Sequence, residues 1–296
     1  MSLFQPNDRL PKMNRSRAAD VLMDVEPSVS SPFRRLSAAV SRRVFLRATG
    51  CALAVFAVPG CGNSSESSTG PRPTLPNPSR LTARPGIPTQ EPTVGLSQLE
   101  LGSSGDGLLY VPESYSADTP APLFVGLHGG GGTASDWAPY YARAEERGMI
   151  LLAIDSSART WDLITSGAVG PDARLLDLAL QHTFDRLRID PTRMALAGFS
   201  DGASYAISLG PVNGDLFSHI VAYSPGIRVA LGPFTGRPRI YISHGTSDPV
   251  LPVSNTRDST VPRLRDSGYD VTFIEFGGGH SVPNPIIDSS LDWFLA

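Results

Sequence analysis

Cysteine is nearly absent from this 296-residue chain: the only two are Cys51 and Cys61, both N-terminal, and none follows Cys61. A disulfide framework and a cysteine-based metal site are thereby excluded from everything downstream. A field of one charge sign is also missing. The 25 Lys and Arg nearly cancel the 28 Asp and Glu, leaving a net charge of -3. Nothing basic or interleaved with aromatics is available to grip nucleic acid. The chain has no P-loop, no His-Glu-x-x-His zinc motif and no nucleotide or flavin fingerprint, so no cofactor and no metal are expected. It has no apolar run of the ~20 residues that a membrane-crossing helix needs.

What is present falls into three parts. Residues 1–61 form a leader. Ser41-Arg42-Arg43-Val44-Phe45-Leu46-Arg47 precedes a short apolar stretch from Ala48 to Pro59, the order of an export signal. The run resembles a twin-arginine signal. Val58-Pro59-Gly60-Cys61 resembles a lipoprotein cleavage box, which implies that Cys61 becomes the lipid-modified first residue of an exported, membrane-anchored protein. The partners implied are the twin-arginine export machinery and a membrane reached only through that lipid. Residues 62–92 are rich in Ser, Pro, Thr and Asn and nearly devoid of apolar side chains, so a disordered, partly polyproline linker is expected there.

From residue 93 to 296 short apolar runs alternate with amphipathic stretches, the pattern of an α/β domain with a mostly parallel sheet flanked by helices. Strands are expected at 108–112, 123–127, 150–154, 193–197, 219–222, 239–243 and 271–276. Helices are expected at 136–148, 172–188, 255–267 and 286–294. The connection from Ser224 to Pro238 is too short for a separate cap domain, so an open pocket is expected.

Gly198-Phe199-Ser200-Asp201-Gly202 joins an apolar strand to a segment able to start a helix. That is the context of a nucleophile elbow, in which glycines permit a very tight turn and the serine hydroxyl stands clear of the sheet. A serine attacks well only if a base takes its proton, and the base needs a carboxylate to fix its tautomer. With the order Ser, acid, His as a filter, three histidines remain: His219, His244 and His280. His280 closes a glycine loop after a strand and is the expected base. Asp248, in the loop after the 239–243 strand, is the expected acid, and His244 is expected to be structural. His219 is expected to pack. The run His128-Gly129-Gly130-Gly131-Gly132 follows a strand and can supply a backbone donor to an oxyanion. The expected donors are the N–H groups of Asp201 and Gly130, with Gly129 or Gly131 as alternatives to the latter, and His128 braces the loop. Trp161 either lines the site or packs over the sheet.

Taken together, the glycine run, the elbow, His244-Gly245-x-x-Asp248-x-Val250-x-Pro252 and Gly279-His280 resemble the phospholipase/carboxylesterase group of α/β hydrolases, over roughly residues 120–296. The glycine loop and elbow also resemble those of polyhydroxybutyrate depolymerase and feruloyl esterase-like enzymes. The resemblance implies an α/β-hydrolase fold and a metal-free Ser-His-Asp carboxylic-ester hydrolase acting through an acyl-enzyme on a small-molecule or lipid-like ester. A depolymerase or a serine peptidase on the same scaffold, and an inactive surface binding protein, are the other readings.

Overall fold

The computed structural model describes residues 77–102 and 107–296, so the expected leader, with Cys61, and the linker before residue 77 lie outside the described residues. Eight strands make one sheet in the order β1-β2-β4-β3-β5-β6-β7-β8. β1 (Gly95–Gln98) and β2 (Gly107–Val111) run antiparallel at one edge. From β4 (Ile150–Ile154) through β3 (Ala121–Leu127), β5 (Ile189–Phe199), β6 (His219–Tyr223) and β7 (Arg239–Gly245) to β8 (Val271–Phe276), every pairing is parallel. β3, β4 and β6 are buried along their whole length because helices cover both faces, and unbroken apolar runs result where a one-sided sheet would alternate.

Two apolar clusters fill the spaces on either side of the sheet. One gathers Leu176, Leu180 and Phe184 of α3 (Pro171–Arg186) with Tyr205, Ile207 and Leu209 of α4 (Asp201–Leu209). The other packs Trp137, Tyr140 and the last helix, α7 (Asn284–Leu295), against Phe124 and Tyr223. The expected helix over 136–148 is two pieces: a 3₁₀ segment, Ala134–Tyr140, then α1 (Tyr141–Arg147) ending at Gly148 in the left-handed region. Pro139 lies inside the first piece and lacks the N–H that an α-helix would use, which favours the break. The expected helix over 255–267 divides likewise into α5 (Val253–Asn255), a π turn (Thr256–Thr260) and α6 (Val261–Asp266). A short α2 (Asp162–Ser166) and β1 had no distinct sequence signal.

Residues 77–92 differ from the expected linker. They lie along the α3 face as a strap. Arg80 makes a two-pronged contact with Asp215, Nη1 to Oδ1 at 2.8 Å and Nη2 to Oδ2 at 2.9 Å, and Arg84 adds a third bond to the same carboxylate. The Leu81 N–H donates to Asn213, Thr82 and Ala83 donate to Asp177, and Thr89 and Gln90 donate to the carbonyl of Asp185. Leu81 and Ala83 enter the core. The strap is poor in apolar residues, but side chains of the domain supply acceptors for its backbone, and two well-placed apolar residues seat it.

Candidate active site

The parallel strands all point their C-terminal ends to one edge, and the predicted catalytic residues arrive there from the loops after β5, β7 and β8. At the end of β5 the chain turns into α4 within one residue. An added Cβ at Gly198 would lie 2.2 Å from the Gly202 backbone, and one at Gly202 would lie 2.2 Å from the Leu127 carbonyl. No side chain fits either place. Ser200 between them takes φ 56° and ψ −115°, a conformation costing about 1–3 kcal/mol for a residue with a Cβ. Its N–H donates to the Tyr223 carbonyl at 2.9 Å, which ties the strained turn to β6.

Ser200 Oγ lies 2.9 Å from His280 Nε2, and His280 Nδ1 lies 2.6 Å from Asp248 Oδ2. The carboxylate accepts at Nδ1, so that nitrogen bears the hydrogen and Nε2 presents its lone pair to Ser200 Oγ. The Asp248 side chain is sealed from solvent, whereas His280 is partly open. Burial alone would push the Asp248 carboxyl up. The N–H groups of Leu251 and Val250 on Oδ1, together with His280, outweigh it and hold the group below its ordinary value. The acid and base loops are joined through their backbones: Thr246 N–H donates to the Phe276 carbonyl and Ser247 N–H to that of Gly278, both at 2.9 Å. A Cβ at Gly245 would lie 2.3 Å from the Gly279 carbonyl, so glycine is what lets the two loops meet.

The glycine run sits across from the elbow. A Cβ on Gly130 would approach Asp201 Oδ2 to 2.5 Å, and one on Gly129 would approach Ser200 Cβ to 3.4 Å. Gly131 donates its N–H to the Arg159 carbonyl at 2.7 Å, and Gly132 donates to Gly129 at 2.9 Å. Gly131 is therefore spent as a donor. Asp201 N–H, in the first turn of α4, has no intrahelical acceptor. His128 braces the loop as expected. Its Nε2 accepts from the Ser156 N–H at 3.0 Å, so Nδ1 donates to the Gly129 carbonyl at 2.7 Å. Trp161 is fully buried, stacks between His128 and Tyr205, and donates to the His128 carbonyl. It takes the packing role rather than the lining one.

A cavity of about 130 Å³ lies against Gly129 and Phe199, with Trp137, Tyr140, Tyr223 and Ile287 among its walls; Ser200 and His280 do not line it. Trp137 lies over Gly126 of β3, where a Cβ would meet its ring at 2.5 Å. Phe199 also stacks on His280, with ring centroids 4.8 Å apart. Two features carried no sequence signal: Thr160 donating to Asp201 Oδ2 at 2.7 Å, and the contact of His244 with Asp248 at 3.2 Å. Both depend on loops meeting in space. Among the described residues, no group of three or more His, Cys, Asp and Glu is placed to hold a metal ion, and no helix is long and apolar enough to cross a membrane.

The architecture superposes on esterase PE8 with a TM-score of 0.54 at 21% identity, covering 64% of this chain and 97% of that one. The chain has the α/β-hydrolase fold. S-formylglutathione hydrolase from Staphylococcus aureus shares that α/β-hydrolase architecture, with a TM-score of 0.56 at 15% identity over 71% of this chain and all of the other. In sequence the chain is 27% identical to a probable feruloyl esterase C of Aspergillus oryzae over 231 residues, 64% of this chain and 83% of the relative. No protein-family model matches it.

Proposed function

We propose that this protein is a serine carboxylic-ester hydrolase working through an acyl-enzyme. The observation that carries the reading is the continuous hydrogen-bond chain from Ser200 through His280 to Asp248, with the nucleophile on a strained elbow at the sheet edge. The similarity to a feruloyl esterase supports an ester bond as the target.

Each step follows from this geometry. His280 Nε2 takes the Ser200 proton as Oγ attacks the ester carbonyl, and Asp248 stabilises the resulting imidazolium. In this reading the developing oxyanion is received by the N–H groups of Asp201 and Gly130. His280 then returns the proton to the departing alcohol, the acyl group stays on Ser200, and a water activated by the same histidine releases the acid. The aromatic cavity is comparable to the ~150 Å³ voids that hold one benzene ring. As an acyl site it would hold a short chain or a single aromatic ring. We further propose that the protein is exported and held at the membrane by lipid on Cys61; loss of palmitate labelling in Cys61→Ser checks this.

The test is hydrolysis of p-nitrophenyl esters from acetate to palmitate, together with fluorophosphonate labelling. Wild type is expected to turn over and label, with short acyl chains preferred over long ones. Ser200→Ala is expected to lose turnover by ~10⁴-fold or more and to lose the label. A folded wild type that neither labels nor hydrolyses any ester would overturn the reading in favour of a binding protein. Cleavage confined to peptide substrates would favour a peptidase.

A further inference from the structure

Asp248 meets two histidines. Its Oδ1 accepts the N–H groups of Val250 at 2.8 Å and Leu251 at 2.9 Å. Its Oδ2 accepts His280 Nδ1 at 2.6 Å and also lies 3.2 Å from Nε2 of His244, a ring wholly buried at the end of β7. The same Nε2 is 2.8 Å from the Leu251 carbonyl. Both neighbours of that nitrogen are acceptors, so it must carry a hydrogen. On the far side of the ring, Nδ1 meets the Thr256 hydroxyl at 2.9 Å, and that hydroxyl lies 3.2 Å from the Pro225 carbonyl. Thr256 begins the π turn, a local widening of the helix of a kind frequent at functional sites.

We propose that His244 is a positioning residue for the catalytic acid: its Nε2–H ties down the Leu251 carbonyl, the N–H of that same residue holds Asp248 Oδ1, and the ring is itself aimed by Thr256. The inference rests on the serine-hydrolase reading above. A ring needed only to fill space could be apolar. This one is hydrogen-bonded at both nitrogens, and one of its contacts falls on the atom that orients the base.

The consequence is electrostatic as well as geometric. With Leu251 held in place, its N–H stays on Oδ1 and draws charge from the carboxylate that holds the His280 imidazolium. The grip on the imidazolium is thereby moderated. The other charged groups near the pair are Glu275 on β8 and Arg257 on the π turn, and they are paired with each other. They stay constant when only His244 changes.

His244→Gln keeps an amide N–H near the Nε2 position, whereas His244→Asn reaches only toward Thr256. In the full-length protein, the acid limb of the kcat/KM profile is expected to move up by about 0.5–1 pH unit in His244→Asn and to stay at the wild-type position in His244→Gln. KM above the limb is expected to be unchanged in both. If His244→Asn does not fold, Thr256→Val replaces it with the same expected direction. Wild-type profiles in every variant, or identical shifts in Asn and Gln, would overturn the role of His244. Ser200→Ala separates the two ideas: if it stays active, the serine-hydrolase reading fails first, whereas an inert Ser200→Ala beside unshifted His244 variants removes only this inference.

Discussion

The carboxylate of Asp248 has a single oxygen facing His280, and that oxygen decides which imidazole tautomer is present. Replacing it with an amide would leave the shape but present an N–H to Nδ1, so His280 would offer a hydrogen where it must offer a lone pair. Asp248→Asn is therefore expected to lower kcat by about 10⁴-fold with little change in melting temperature, read by ester turnover and circular dichroism. At this scale the sequence was most informative where a constraint is local. Gly198 and Gly202 are demanded by backbone atoms within a few residues or in one packed strand, and the pentapeptide shows it. Asp248 and His280 were legible through chain order and loop position. His244 was legible as a structural histidine ahead of the Asp248 loop, but not its contact with Asp248, which depends on how that loop folds back.

Among the elements, the buried parallel strands were the most legible, since unbroken apolar runs such as 150–154 have few other uses. The strap was not. Its stability comes from Asp177, Asn213 and Asp215, all far along the chain, which supply acceptors that the strap's own composition does not announce. Arg80 holds the Asp215 carboxyl far below the usual carboxylate range. A depressed carboxyl stabilises the fold above its unfolded value near 3.9 and loses that contribution as pH falls further. Removing residues 1–92 is expected to lower the melting temperature by several degrees relative to removing residues 1–76. Equal melting curves for the two truncations would show that the strap adds nothing.

For the whole molecule, acid sensitivity should centre on His219. It packs edge-on against Trp293 and Phe294 and is bonded to Ser218. Burial, with Arg239 nearby, pushes its value down to about 4. The unfolded chain binds a proton near pH 6.5 that the folded one refuses, so stability is complete above 6.5 and falls between about 6.5 and 4. The slope approaches ~1.4 kcal/mol per pH unit. Urea unfolding of His219→Gln is expected to lack that slope; a variant with the wild-type slope would place the acid sensitivity elsewhere.

The strand ends from β5 to β8, from which the proposed nucleophile, acid and base project, are bonded one to the next across the sheet edge. Ser200 N–H bonds to Tyr223, Ser224 N–H to Ser243, and Thr246 N–H to Phe276. The alignment of the three groups is thus the strand register itself, carried outward by one residue. On slow heating, ester hydrolysis should accordingly disappear at the temperature where the circular dichroism of the sheet collapses, with no preceding interval of folded but inactive protein. Such a catalyst fails all at once, as a lock does when its frame gives way and its pins are still true.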